Sequence, residues 1–362
     1  MDRLPILKRY AYGVGHVQND LCASLWFSYL LIYFHTVLSF SNSMAGNLML
    51  LGQIVDAIST PLVGYESDKT STRFYGKRKT WHLLGTICVA VSFPFLFNPC
   101  ITCNDSPDWA RFIYYAPFVA IFQFGWASTQ ISHLALIPEL SPNESTRVEL
   151  NAIRYAFTVI ANIFVYGLTW FLLDLFSGSI PANDTEQSLS PDDIPTFTKL
   201  SAIVIGTGIV FSSIFHIGTK ENPGRALQES THLINGHLSE QRQMSWKSWL
   251  IEPQFYLIAL LYMCTRLMVN ISQVYIPLFL HDTLHLDKIY IAIIPLIIYI
   301  SGFLTSLFMK LINAFIGRKL TYMFGALMVI AFSTSLWFRN IGNGIYASAV
   351  LIGAGGSTVL PD

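Results

Sequence analysis

Three charged residues lie inside long apolar stretches of this 362-residue chain, and they are its strongest candidates for chemistry. They are Asp20, Asp56 and Arg266. A charged side chain at the centre of a bilayer costs about 2.5–3.5 kcal/mol on insertion scales, so it normally faces a protein interior or a wet cavity. A buried carboxylate can bind a proton or an ammonium group, and a guanidinium binds an anionic group such as a carboxylate. We therefore predict these two roles for the aspartates and the arginine.

Polar residues accompany the three charges at helical spacing. Asn19 adjoins the first aspartate, Gln53 lies three residues before the second, and Asn270 lies four residues after the arginine. Residues three or four apart share one face of a helix. We predict that these amides line a substrate or ion site together with the charges. The competing interpretation is that they are hydrogen-bonding contacts between helices, worth about 0.6–2 kcal/mol each.

The elements that carry these residues are predicted to be membrane-spanning helices. The chain is 52% hydrophobic and only 12% charged, whereas about 25% of residues are charged in soluble domains. A spanning helix needs about 20 mostly apolar residues. We predict ten helices, at residues 11–38, 45–65, 80–99, 111–137, 150–176, 197–218, 252–280, 289–309, 320–338 and 344–360. The chain is thus predicted to be an all-α polytopic membrane protein.

Lysine and arginine are distributed unevenly among the predicted loops. Most of the 22 basic residues fall on one side of the membrane, and the densest cluster follows the second helix at residues 69–79. Arg111, Lys199, Lys288 and Arg339 fall on the other side. Because cytoplasmic loops carry an excess of basic residues, we predict that both termini are cytoplasmic.

The longest polar stretch divides the predicted helices into two groups. It predicts an N-terminal six-helix bundle at residues 1–218, a cytoplasmic linker at 219–250 and an incomplete C-terminal bundle at 251–362.

Short motifs in the predicted loops suggest modification and sorting. The linker carries Glu229 followed by Leu233 and Ile234, an acidic dileucine pattern that sorting adaptors read; a plain solvated loop is the alternative interpretation. Asn104 and Asn183 begin Asn-X-Ser/Thr sequons in loops predicted to be extracytoplasmic, where glycosylation is expected.

Cysteine and catalytic motifs do not indicate an enzyme. Five cysteines do not fit a disulfide-stapled fold, and the Cys100-X-X-Cys103 pair indicates a local disulfide or free loop thiols rather than a zinc site. The sequence contains no nucleophile elbow, Walker loop, HExxH motif or multi-histidine metal cluster. We predict neither enzymatic activity nor a metal or cofactor, and the zero net charge gives no sign of nucleic-acid binding.

Two stretches carry a family resemblance. GYESDK at residues 64–69, followed by GKRK at 76–79, resembles the loop 2–3 signature of the major facilitator superfamily. The longer run DAISTPLVGYESDKTSTRFYGKRK resembles the sodium/melibiose-type symporter branch. The resemblance implies a fold of two six-helix bundles and transport by alternating access. It also implies that Asp68, Arg78 and Lys79 form a cytoplasmic gate.

Longer stretches, such as FQFGWASTQISHLALIPEL and YMCTRLMVNISQVY, are similar to members of the superfamily that act in lysosomes and melanosomes. That resemblance implies cysteine import into these organelles and a link to pigmentation. In the melibiose-type branch a second carboxylate commonly lies four residues after the first in helix 2, whereas this chain has Thr60 after Asp56. A sodium site needs several hard oxygen ligands, so a proton, or no coupling ion, is the better expectation.

Two other functions are compatible with the same residues. One is a cation-coupled symporter of sugars or other small polar solutes. The other is a non-transporting membrane partner or truncated isoform, suggested by ten predicted helices where the superfamily has twelve.

Overall fold

The structure, a computed structural model, describes residues 4–70, 75–101, 103, 106–141, 143–177, 188–221, 251–337 and 344–359. Within these ranges the backbone forms helices, turns and short connections, with no β-strand. The helices are α1 (Ile6–Gly13), α2 (Val17–Ile32), α3 (Asn42–Lys69), α4 (Lys77–Leu96), α5 (Asp108–Leu140), α6 (Glu144–Ser177), α7 (Ile194–Gly218), α8 (Pro253–Leu278), α9 (Tyr290–Ile316), α10 (Arg318–Ser335) and α11 (Gly344–Val359).

Six of the helices in the described part of the chain are long and apolar enough to cross a membrane. They are α3, α4, α6, α7, α8 and α9. Every predicted apolar run coincides with a helix, and most helices extend a few residues beyond the predicted run. Hydropathy detects only the part of a helix that lies in lipid.

The first predicted span differs from the prediction because it is broken. A 3-10 turn at Val14–His16 separates α1 from α2, and a π-helical turn at Tyr33–Val37 ends the span. The break lies where neighbours come very close. A Cβ on Gly13 would lie 2.6 Å from Cγ2 of Ile153, and a Cβ on Gly15 would meet the ring of Phe215. Tertiary packing therefore requires small residues at this point.

Helix starts follow ordinary capping rules. The Ser41 side chain accepts a hydrogen bond from the backbone N–H of Met44 at the start of α3. Gly76 and Gly317 precede α4 and α10 with φ of 104° and 82°, a region that favours glycine.

Two compact units make up the described structure. The first comprises residues up to Glu221 together with Ile276–Tyr299, and its core is rich in aromatic side chains such as Trp26, Tyr33 and Phe97. The second comprises the described residues of 222–275 and 300–362, in which the backbones of α10 and α11 approach closely at Gly325 and Gly355. Most of the predicted linker lies outside the described residues, and the predicted domain boundaries stay a prediction.

Within the first unit, α4 and α5 pack backbone against backbone. A Cβ on Gly85 would lie 2.6 Å from the carbonyl oxygen of Gly125, and a Cβ on Gly125 would lie 2.8 Å from the carbonyl oxygen of Gly85. Small residues of this kind let membrane helices approach closely. The two helices therefore form a tightly joined pair.

Candidate functional site

A small pocket lies between α2, α3 and α5 of the first unit. Its walls are Ala23, Trp26, Phe27, Gln53, Asp56, Phe122, Gln123 and Trp126. The glycine that precedes Gln53 makes room for one wall, because a Cβ on Gly52 would lie 2.6 Å from Cζ2 of Trp26. The structure thus brings the predicted Gln53 and Asp56 together with two tryptophans that the polar pattern did not indicate.

Asp56 is partly buried at this pocket, and the Thr60 hydroxyl donates a hydrogen bond to its Oδ1 at 3.2 Å. Thr60 therefore supports the carboxylate rather than adding a second one. Trp26 is almost fully buried, and its Nε1 has no hydrogen-bond partner among the described residues. A carboxylate beside aromatic walls can bind a cation, because aromatic faces also attract positive charge.

Asp20 lies on another side of α2, where it contacts α6. Its Oδ1 lies 2.9 Å from Nδ1 of His16, and its Oδ2 accepts a hydrogen bond from the Thr158 hydroxyl at 2.8 Å. Asn19 donates from Nδ2 to the carbonyl of Trp126 at 3.3 Å, directly behind the pocket. Asn19 is therefore linked to the pocket wall, whereas Asp20 belongs to a neighbouring polar cluster.

Arg266 and Asn270 lie on α8, in the second unit. Both are partly buried, and they are one helical turn apart, as the spacing predicted.

The predicted gate residues lie at one end of α3 and α4. Arg78 donates hydrogen bonds to Asp68 and to the Ser67 hydroxyl, and its Nε lies 3.6 Å from Oε1 of Glu139. Lys77 also approaches Glu139, at 3.3 Å. Burial raises the pKa of Glu139, and the neighbouring Glu221 raises this pKa further. Asp68 and Arg78 are thus brought together, with Glu139 as an additional anion.

Lys79 makes a different contact from the other two. Its ammonium donates to the backbone carbonyls of His216 and Thr219 at the end of α7. The Glu221 carboxylate in turn accepts from the backbone N–H groups of residues 77–79 and caps α4. Glu221 was missed because it is 142 residues from Lys79 in sequence, and only the fold brings the two together.

The structure describes only some of the remaining motifs, which are the cysteine pair, the sequons and the sorting pattern. Cys100 and Cys103 form a disulfide. The sequons at Asn104 and Asn183 lie outside the described residues, as does the sorting pattern of Glu229, Leu233 and Ile234. Within the described ranges, no group of His, Cys, Asp and Glu side chains could hold a metal ion.

Comparison with known proteins links this architecture to transporters. The profile of a family described as MFS/sugar transport protein matches residues 11–360. The human protein named Major facilitator superfamily domain-containing protein 12 is 51% identical over 372 residues, which cover 99% of this chain and 76% of that protein. An uncharacterised symporter of Synechocystis, sll1374, is 29% identical over 188 residues, covering 51% of this chain and 34% of the symporter.

A solved structure shows the same fold. The xylose transporter XylE from E. coli, in a partially occluded inward-open conformation, has a TM-score of 0.67 and 13% sequence identity to this chain. The alignment covers 97% of this chain and 84% of XylE.

Proposed function

Because this chain belongs to the MFS/sugar transport protein family, it is an integral membrane, secondary-active transporter and not an enzyme, and we propose that its solute is cysteine. The pocket beside Asp56 is the observation that supports this proposal. Its carboxylate and two tryptophan walls provide a binding site for a positively charged group such as an ammonium.

Cysteine is a zwitterion, with an ammonium group and a carboxylate. In the proposal, Asp56 of the first unit binds an ammonium group, with Gln53 and the tryptophan walls beside it. Arg266 of the second unit is separately proposed to bind an anionic group such as a carboxylate, with Asn270 beside it. Asp20 and Asn19 act from the neighbouring cluster, where Asp20 is a site for a coupling proton. Alternating access would expose the solute first to the cytosol and then to the organelle lumen.

The proposal includes a location and a gate. We expect the chain in lysosomal and melanosomal membranes, with both termini in the cytosol and a role in pigmentation. The loop with Glu229 would bind a sorting adaptor, and the two sequons would be glycosylated in the lumen. Asp68, Arg78 and Lys79 would form the cytoplasmic gate, supported by the contacts of Arg78 with α3 and of Lys79 with α7.

Asp56→Asn is expected to raise the KM for cysteine about ten- to a hundredfold, because a hydrogen bond to a charged group contributes about 1.5–3 kcal/mol. The measurement is labelled-cysteine uptake into lysosomes isolated from cells that lack the endogenous protein, at matched expression. Asp192→Asn is the control, because Asp192 is exposed at the turn before α7. Equal uptake by both variants would contradict a role for Asp56.

Gly52→Ala is expected to lower cysteine uptake by displacing the Trp26 indole into the pocket, since the added Cβ would lie 2.6 Å from Cζ2. Gly46→Ala is a matched control on the same helix, because a Cβ at Gly46 meets nothing within 4 Å. Uptake should fall in the first variant at matched expression and stay unchanged in the second. If Gly52→Ala transports as well as the control, the pocket is not the solute site.

A second candidate solute is a sugar, favoured by the family description and by the fold shared with a xylose transporter. The same uptake assay separates the two solutes. Excess unlabelled cysteine, but not xylose, should compete with labelled cysteine. Uptake of labelled xylose with no uptake of cysteine would support the sugar.

A further inference from the structure

Four histidines from four elements meet in the first unit, next to the break in the first span. His16 is in the 3-10 turn, His82 on α4, His133 on α5 and His216 on α7. The ring centroid of His82 lies 4.9 Å from that of His216 and 5.8 Å from that of His133. The ring centroids of His133 and His16 are 5.6 Å apart. The first three of these histidines are buried.

We propose that Tyr75, His216 and His82 form a proton relay that leads from the exposed Tyr75 to the buried imidazole of His82. The inference rests on the proposed function in one respect, namely that the relayed proton drives solute transport. The relay itself rests on an unbroken series of hydrogen bonds. The Tyr75 hydroxyl lies 2.7 Å from Nδ1 of His216, and Nε2 of His216 lies 3.1 Å from Nδ1 of His82.

A backbone carbonyl fixes the direction of this series. Nε2 of His82 lies 3.0 Å from the carbonyl oxygen of Gly15, which can only accept, so this nitrogen carries a hydrogen. In a neutral His82, Nδ1 is then an acceptor, and Nε2–H of His216 donates to it. His216 Nδ1 in turn accepts from the Tyr75 hydroxyl. All donors in the series therefore point inward.

Proton uptake reverses the polarity of the outer two bonds. A proton from water arrives at Nδ1 of His216 through the Tyr75 hydroxyl, which donates its own hydrogen and regains one from water. His216 then passes its Nε2 hydrogen to Nδ1 of His82. His216 is left neutral with its hydrogen on Nδ1, and His82 becomes an imidazolium that still donates to Gly15. One proton moves inward, no bond other than N–H and O–H bonds changes, and no electron is transferred.

The charges around the relay favour a proton that is held inside only transiently. At the outer end, Lys79 binds the carbonyl of His216 and lies 4.4 Å from the centroid of the Tyr75 ring, while Glu221 caps the start of α4. At the inner end, the positive charge of Arg154 on α6 would repel a proton on His133. The nearby carboxylate is that of Asp20, which contacts His16. Like charges repel the bound proton, and Asp20 attracts it inward.

A purely structural role for His82 is the competing explanation, because the bond to Gly15 supports the broken span. Glutamine distinguishes the two explanations. The amide of His82→Gln can still donate to the Gly15 carbonyl but cannot take up a proton at neutral pH. A structural role therefore predicts that this variant behaves like the native protein, whereas the relay predicts loss of proton dependence.

The test measures labelled-cysteine uptake into isolated lysosomes with and without an imposed pH gradient. His82→Gln and His216→Gln are expected to lose the stimulation by the gradient while keeping the uptake seen without it. His35→Gln is the matched control, because His35 also lies against a backbone carbonyl, that of Phe40 at 3.2 Å. Unchanged stimulation in both relay variants, or equal loss in the control, would overturn the relay.

A second readout does not depend on transport. Nitrogen-15 NMR of the purified, histidine-labelled protein should show Nε2–H tautomers for His82 and His216 at high pH. The inward-pointing hydrogen bonds require this tautomer of both rings. An Nδ1–H tautomer of neutral His82 or of neutral His216 would refute the relay. Absence of cysteine uptake in the native protein would refute only the proposed solute.

Discussion

Lys288→Met is expected to lower the free energy of unfolding by about 3–5 kcal/mol, which is the usual cost of removing one partner from a buried ion pair. Nζ of Lys288 lies 2.8 Å from Oδ1 of Asp193, and the two residues are only 8% and 3% exposed. Without the ammonium, the Asp193 carboxylate would remain buried and uncompensated. Thermal unfolding of the purified protein in detergent should therefore show a clearly lowered midpoint.

A double variant separates the charge effect from lost packing. Asp193→Asn combined with Lys288→Met removes both charges, and an amide oxygen can still accept from the backbone N–H of Ser190, as Asp193 does now at 3.1 Å. We expect the double variant to recover most of the lost stability. Lys8→Met, at an exposed lysine of α1, is the control and should leave the midpoint unchanged. A double variant as unstable as Lys288→Met would show that the charge is not the cause.

Gly85→Leu is expected to cost about 3 kcal/mol or more, at the upper end of the cost of overpacking a core. Its first side-chain atom would already lie 2.6 Å from the Gly125 carbonyl oxygen and 2.7 Å from the backbone nitrogen of Thr129. Backbone atoms of a helix cannot rotate away as a side-chain tip can, so α4 and α5 would have to separate. Lower yield and a lower unfolding midpoint are the expected measurements.

Gly206→Leu on α7 is the matched control for this effect. Gly206 is also in the middle of an apolar helix, but a Cβ at this position would meet nothing within 4 Å. Leucine favours a helix over glycine by several tenths of a kcal/mol, so the control should be at least as stable as the native protein. Equal destabilisation by both substitutions would mean that any large residue in these helices is harmful.

Much of the fold could be predicted from sequence because membrane helices are defined by long apolar runs. The all-helical class and the MFS fold are confirmed, and six of the described helices are long and apolar enough to cross a membrane. The break at Val14–His16 could not be predicted, because it depends on the close approach of Ile153 and Phe215, which are far away in the chain. The extent of α5, to Leu140, was underestimated because Pro138 and Glu139 interrupt the apolar run before the helix ends.

The candidate site was predictable only in part. Asp56 and Gln53 were identified because polar residues are rare and costly in lipid, and they do line one pocket. Trp26 and Trp126 were missed, because aromatic residues are common in such a sequence and carry no signal of their own. Asp20 also looked like a pocket residue, yet its contacts with His16 and Thr158 lead to another cluster. One-dimensional spacing shows which residues share a helix face but not which neighbour that face meets.

The polar contacts between α4 and α7 have a consequence for the order of biosynthesis. Lys79, His82 and the first turn of α4 obtain their partners from His216, Thr219 and Glu221, all at the end of α7. During translation α4 enters the membrane well before α7 has been synthesised. Until then its polar groups need water, lipid headgroups or the insertion machinery as temporary partners, because unpaired polar groups are costly in hydrocarbon. Ribosome-bound chains that end before His216 should therefore hold α4 less firmly in the bilayer than chains that extend past Glu221.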